Sequence, residues 1–175
     1  MRTLLVFISL IMLYTLVSCN GESVPATENQ SNGSLEEPLI YANKKAMQEE
    51  KQQIDGFIRR YKWVMKETGS GLRYDIYYKG KGEQAKYGQV AVLRYSVRLI
   101  DGSEIYSSDQ SGNKEFVIGR GGVESGLEEG ILLMRQGDRA KFIIPSHLGF
   151  GLLGDQDKVP PKSTLIYDLE LLELK

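Results

Sequence analysis

Catalytic chemistry usually rests on His, Cys or grouped carboxylates, and this chain is sparing with all three. His147 is the single histidine among 175 residues, and Cys19 the single cysteine. One cysteine excludes a disulfide within the chain and a metal site built from several thiolates. His147 has no Ser or Asp partner at a telling spacing and reads as a surface loop residue. Gly119-Arg120-Gly121-Gly122-Val123-Glu124 is glycine-rich. It fails the G-x-G-x-x-G spacing, and no Gly-Lys-Ser/Thr follows, so it reads as a turn before a helix. Asp155 and Asp157 follow Gly154 but lack the later Glu of a calcium loop, and read as a solvated loop. No metal and no cofactor are expected. What remains is aromatic and apolar: Tyr95, Ile105, Tyr106, Phe116, Val123, Leu127, Phe150, Val159 and Tyr167. By composition alone, most of these are core.

The elements that carry them are strands. From Leu72 on, apolar residues recur every second position, the spacing of a β-strand. Leu72, Tyr74, Ile76 and Tyr78 share one face, and Ala91, Leu93, Tyr95, Val97 and Leu99 share another. Asp101-Gly102 signals a hairpin. Ala140, Phe142 and Ile144 alternate, as do Leu165, Tyr167, Leu169 and Leu171. One short helix is expected at about 124–134, with Leu127, Ile131 and Met134 on its apolar face. Glu128 and Glu129 in its first turn suit the positive end of a helix. About five mainly antiparallel strands covered by one helix make an α+β domain, large enough for one core.

The N-terminal third is organised differently. Residues 1–18 read as a signal segment: Arg2, then an apolar run from Leu4 to Val17 that is short for a membrane span. It ends in Leu16-Val17-Ser18-Cys19, which resembles the bacterial lipoprotein signal. Cys19 is then the expected site of lipidation, and the protein is expected to be anchored to a membrane rather than to span it. Loss of Arg2 takes the formal charge from −1 to −2. With no basic patch, no nucleic-acid partner is expected. Residues 19–35 read as a flexible tether. An amphipathic helix follows at about 39–66, within a segment 36–68, with Ile40, Met47, Ile54 and Tyr61 seven apart. Pro38 suits its first turn and Gly69 its stop. Its stripe either packs on the domain at 70–175 or forms a dimer or a partner-binding surface. Trp63 is expected to serve helix packing.

Five blocks in the last third carry a resemblance: Gly126-Leu127-Glu128-Glu129-Gly130; Ala140-Lys141-Phe142-Ile143-Ile144-Pro145; Leu148-Gly149-Phe150-Gly151; Val159-Pro160-Pro161; and Leu165 to Leu171. In this order they resemble the FK506-binding (FKBP) type of peptidyl-prolyl cis-trans isomerase, over about residues 70–175. The resemblance implies an FKBP-like antiparallel sheet wrapped on one short helix, with an apolar pocket between them for a proline ring. It implies pocket roles for Tyr95, Ile105, Phe116, Val123, Leu127, Phe150, Val159 and Tyr167. The backbone N–H of Glu124 would receive a ligand carbonyl, a role that does not need its side chain. Tyr106 stands where the family usually has Asp. Phe150 stands where it usually has a hydroxyl-bearing residue, and Lys158 where an apolar residue is frequent.

The lipoprotein-like start, the helix, Ile105-Tyr106-Ser107 and Gly154 to Val159 together resemble the gliding-motility-associated FKBP-type lipoproteins of Bacteroidetes. That implies proline-containing unfolded or secreted proteins as partners. It also implies a place in the bacterial envelope. Asn20 after Cys19 favours the outer membrane, facing the periplasm. The alternative is a non-catalytic FKBP-like chaperone or structural lipoprotein.

Overall fold

The computed structural model describes residues 33–175. The expected signal segment, Cys19 and most of the expected tether lie outside the described residues. The chain divides into two units, Met1–Ile40 and Tyr41–Lys175. The described part of the first is the opening of helix α1, Gly33–Tyr61, with Pro38 inside it. The helix thus starts earlier than about 39, and Pro38 does not lie in its first turn.

Helix α1 also ends earlier than expected, at Tyr61 rather than about 66. Lys62 takes the left-handed conformation, with φ 54°. Its N–H donates to the Arg59 carbonyl at 3.3 Å, and the Trp63 N–H reaches back to the Ile58 carbonyl at 3.1 Å. This pair of bonds is a Schellman closure, usually built on glycine. Trp63 completes it by packing edge-on against Phe57, 5.3 Å between ring centres. A lysine at the turning position left no stop signal in the sequence, so Gly69 was the only visible one. Trp63, Val64 and Met65 are therefore outside the helix.

The second unit holds one antiparallel sheet. Its strands are β1 (Lys66–Glu67), β2 (Arg73–Tyr78), β3 (Val90–Leu99), β4 (Glu104–Ser107), β5 (Lys114–Val117), β6 (Arg139–Ile144) and β7 (Leu165–Leu174). They lie in the order β1-β2-β6-β7-β3-β4, and β5 pairs with the first half of β3 beside β4. The two-residue β1 and the short β5 raise the expected five strands to seven among the described residues. A one-turn helix α2 (Ser108–Ser111) follows β4, and helix α3 (Ser125–Leu132) precedes β6. Long β3 and β7 pair in register from Ala91 with Leu174 to Leu99 with Leu165, broken by one bulge at Val92/Leu93.

Helix α3 covers one face of the sheet. Leu127 and Ile131 are fully buried with Phe142, Ile144, Leu165 and Tyr167. The approach is close because α3 carries glycines on that side. A Cβ on Gly130 would lie 2.4 Å from the Phe142 ring, and one on Gly126 2.6 Å from the Ile144 side chain. The opposite face is covered by the second half of α1. Ile54 and Phe57 bury against Ile143 and Ile166, with Ile58, Trp63 and Met65 at the margin. Adjacent residues of β6 therefore serve two different cores, which is why its sequence runs apolar at its end rather than alternating.

Polar contacts fasten α1 as well. The Glu50 carboxylate accepts the Ser146 N–H at 2.7 Å, the Ser146 hydroxyl at 2.8 Å and the Thr164 hydroxyl at 2.7 Å. Buried Arg73 bonds Glu67 at 2.7 Å and Asp55 of α1 at 3.3 Å. The expected packing of the stripe on the domain thus holds for Ile54 and Phe57. Met47 and Tyr61, of the same heptad spacing, remain about half exposed. No helix among the described residues is long and apolar enough to cross a membrane.

Candidate functional site

Four strands, one helix start and two loops bring the expected residues together. Tyr95 sits mid-β3, its N–H held by the Ser108 hydroxyl at 2.9 Å. The Asp101-Gly102 hairpin, with Gly102 at φ 95°, returns the chain so that β4 presents Ile105 and Tyr106 beside it. Phe116 comes from β5, and Val123 and Glu124 from the entry to α3. Leu127 lies in the first turn of α3, Phe150 after the short 3-10 turn Ser146–Leu148, and Tyr167 on β7. Ile105, Phe116, Leu127, Val159 and Tyr167 are buried in one cluster; Tyr95, Tyr106, Val123 and Phe150 pack half-buried against it. Glu124 joins through Tyr167, whose hydroxyl donates to Glu124 Oε1 at 2.8 Å.

Glu124 is the N-cap of α3, with φ −57° and ψ 138°. Its carbonyl accepts the Leu127 N–H at 2.9 Å and the Glu128 N–H at 3.1 Å. Glu128 in turn accepts the Gly121 N–H at 3.0 Å, tying the glycine-rich turn to the helix it precedes. The resemblance gave the Glu124 side chain no role. In the fold it is 8% exposed, and its Oε2 has no hydrogen-bond partner among the described residues. Burial, then the charge of Glu124, holds the Tyr167 phenol well above its ordinary value. The same two causes raise Tyr95. Both hydroxyls therefore stay protonated at neutral pH. The Tyr95 and Tyr167 rings lie 6.5 Å apart between centres.

The loop at 154–159 departs from expectation. Asp155 does not simply face solvent: its Oδ1 accepts the Val159 N–H at 2.7 Å and the Asp157 N–H at 3.0 Å. Its Oδ2 accepts the Tyr106 hydroxyl. That bond, with burial and the charges of Asp155 and Asp157, pushes the Tyr106 phenol far up. Burial pushes Asp155 up, but the bonds from Tyr106 and from the Val159 and Asp157 N–H groups outweigh it and hold the carboxyl below its usual value. Lys158 donates to the Ile105 carbonyl at 3.2 Å and lies 5.1 Å over the Tyr106 ring. An Asp whose carboxylate takes N–H groups two and four residues on is a turn pattern readable in sequence. Its partner Tyr106, far away in the chain, is not. His147 is exposed, as expected, with Nε2 2.9 Å from the Ser70 carbonyl.

The cluster these residues form is thus apolar and aromatic, and two of its three phenols, Tyr106 and Tyr167, donate to carboxylates. The sequence pattern of FKBP-type peptidyl-prolyl cis-trans isomerases matches residues 81–172, a span that holds all ten expected site residues. The chain belongs to this family. It is 30% identical over 165 residues to the probable FKBP-type peptidyl-prolyl cis-trans isomerase FkpA of Neisseria meningitidis, covering 89% of this chain and 60% of that one. It is 36% identical over 111 residues to FkpA of Escherichia coli, covering 63% of this chain and 40% of that one. The chain therefore spans less than two thirds of either curated relative. The crystal structure of FkpA from Escherichia coli superposes with a TM-score of 0.62 at 28% identity, over 84% of this chain and 74% of that one.

Proposed function

We propose that the protein is a peptidyl-prolyl cis-trans isomerase that helps envelope proteins fold. The observation that carries this reading is the convergence of Tyr95, Ile105, Phe116, Leu127, Phe150 and Tyr167 in one apolar cluster within the family-matched span. Rotation about an X-Pro bond must overcome ~18–20 kcal/mol of amide resonance. The planar amide is the more polar form and is stabilised by water. An enclosure that takes the proline ring, removes water and fits the twisted amide lowers that barrier. Each ~1.4 kcal/mol of preference for the twisted form gives about tenfold in rate. In this reading Leu127 forms the floor and Tyr95, Phe116 and Tyr167 the walls. Ile105, Tyr106, Val123, Phe150 and Val159 form the rim, and the Glu124 N–H binds a substrate carbonyl. The reading involves no cofactor. A protease-free isomerisation assay on the purified chain tests it: acceleration of a Leu-Pro peptide is expected, and a rate equal to the uncatalysed one sinks the reading.

The second reading is a non-catalytic FKBP-like binding lipoprotein. It is favoured by the commitment of the Tyr106 hydroxyl to Asp155 and by the lack of a hydroxyl on Phe150. Tyr106→Asp combined with Phe150→Tyr separates the two. A gain in rate says that these departures limit catalysis, and no gain in a folded variant says that they are harmless.

The proposed organisation is a signal segment 1–18, a tether 19–35, a helical segment 36–68 and an isomerase domain 70–175. Lipid on Cys19 would hold the domain at the periplasmic face of the outer membrane, within reach of unfolded or secreted clients. Leu16-Val17-Ser18-Cys19 and Asn20 support this, as does the likeness to gliding-motility-associated lipoproteins of Bacteroidetes. Labelling with a radioactive fatty acid should be lost in Cys19→Ala, and membrane fractionation locates the anchor. A homodimer through residues 39–66 is supported by the exposure of Tyr41 and Met47. Sedimentation of chains with and without that segment tests it, and equal monomer masses exclude it.

A further inference from the structure

At the rim the Tyr106 hydroxyl meets the Asp155 carboxylate, with Asp157 Oδ2 more distant at 3.3 Å. Asp155 places Oδ2 on the Tyr106 hydroxyl of β4 and Oδ1 on the Val159 N–H of the loop. We propose that Asp155 is a positioning residue of the proline site, a latch that joins the strand bearing Ile105 and Tyr106 to the loop bearing Val159 before substrate arrives. The proposal rests on the isomerase reading above and deepens it.

Three further features act on the same junction. Lys158 donates to the Ile105 carbonyl at 3.2 Å, a second tie from loop to strand one residue from Tyr106. The Asp155 N–H donates to the Val159 carbonyl at 3.2 Å, so the loop closes on itself around the carboxylate. Gly154 permits that closure. It sits at φ 69°, and a Cβ there would lie 2.0 Å from the Val159 carbonyl oxygen. Behind the latch lie Ile105 and Val159, at 7% and 3% exposure. Beyond it Leu152 and Leu153 are widely exposed. The latch thus marks the line between the part of the loop built into the enclosure and the part left outside.

The chemistry follows from where the hydroxyl points. A Tyr106 hydroxyl engaged by a carboxylate is not free to bond a substrate carbonyl, so Tyr106 contributes its ring to the rim. The polar contact has moved from between protein and substrate to within the protein. Its effect is then preorganisation: the loop is ordered before binding, and less ordering remains when the peptide arrives. Such an effect falls on KM more than on kcat. Two residues acting through one bond should also be coupled rather than additive.

The test uses the full chain and a Leu-Pro tetrapeptide in a protease-free assay, with Tyr106→Phe, Asp155→Ala, their double variant and Asp155→Asn. Tyr106→Phe and Asp155→Ala are each expected to raise KM roughly three- to tenfold with kcat within about twofold. The double variant should be no worse than Asp155→Ala alone. Asp155→Asn keeps an acceptor for the Val159 N–H and should recover most of the loss. Near-ultraviolet circular dichroism checks that each variant is folded; Tyr106→Phe removes only one oxygen and carries the test if Asp155→Ala does not fold. Wild-type activity with an unchanged KM in Tyr106→Phe, or with losses that multiply in the double variant, overturns the latch and leaves the isomerase reading standing. If the wild type does not accelerate isomerisation, that reading falls, and the same coupling is read in Kd for the peptide by NMR titration. Coupled Kd values then uphold the latch as part of a binding site, and uncoupled values, or no binding, overturn it.

Discussion

Phe142 and Ile143 are neighbours on β6 and belong to different parts of the molecule. Phe142 points to α3, where glycines bring helix and ring into contact in a mainly apolar core that also buries Glu124. Ile143 points to α1, where four buried apolar residues are reinforced by Glu50, Asp55 and Arg73. One face is a core from which the helix cannot be withdrawn without opening the sheet. The other is a helix fastened by a small apolar patch and a few polar bonds. The lesson is that the same strand can build a site on one side and hold an accessory helix on the other, because successive side chains alternate between faces.

The largest expected effect breaks the first face. Phe142→Ala should lower the stability of the domain by ~3–5 kcal/mol, measured by urea denaturation. A loss below ~1 kcal/mol would mean that α3 is not seated as described. Gly130→Ala sharpens the same face. A methyl group would meet the Phe142 ring, so ~1–3 kcal/mol of destabilisation is expected from overpacking, despite the better helix propensity of Ala. A more stable variant would refute the close approach.

On the second face, Glu50→Ala removes three hydrogen bonds and leaves the Ser146 and Thr164 groups to water. About 1–3 kcal/mol is expected, read most directly as faster amide exchange in the second half of α1 with strands β3 and β7 still protected. Uniform exchange across the domain would say that the two faces are one cooperative unit. The smallest effect is a gain. Lys62→Gly relieves a left-handed residue at the helix stop and should raise stability by up to ~1 kcal/mol. A loss would place the stop elsewhere.

The phenols compare the faces by pH. Tyr77, on the α1 side of β2 and bonded to Asp168 at 2.7 Å, is raised by burial and by Asp168 to about 12. Tyr167 is raised well above 10 by burial and Glu124. A phenol held up by the fold stabilises it below the unfolded value of ~10 and loses that stabilisation as pH rises through the folded one. Stability should therefore fall from about pH 10 upward. Tyr77→Phe should make the fall shallower between about 10 and 12, whereas an unchanged slope would assign it to the α3 face alone.

Strand periodicity, the Asp101-Gly102 hairpin and the short helix could be read directly, because each is a local pattern. The members of the site could be named only through family resemblance. Periodicity alone cannot distinguish a residue that lines a pocket from one that fills a core. The end of α1 is not legible in the sequence because Lys62 takes a conformation that its residue type does not advertise. The structural use of Asp155 was missed because its decisive partner, Tyr106, is 49 residues away in sequence.

The sequence by itself determined the longer strands, their apolar faces and the family. These follow from hydrophobic spacing and from blocks whose order survives in a linear reading. Tertiary structure alone decided that the second half of α1 occupies the second face of the sheet. It also decided that Glu124 is buried against Tyr167, and that the Tyr106 hydroxyl turns to Asp155. The reason is physical. Burial and hydrogen bonding of a polar group depend on what lies across the fold from it, and that distance is not a distance along the chain.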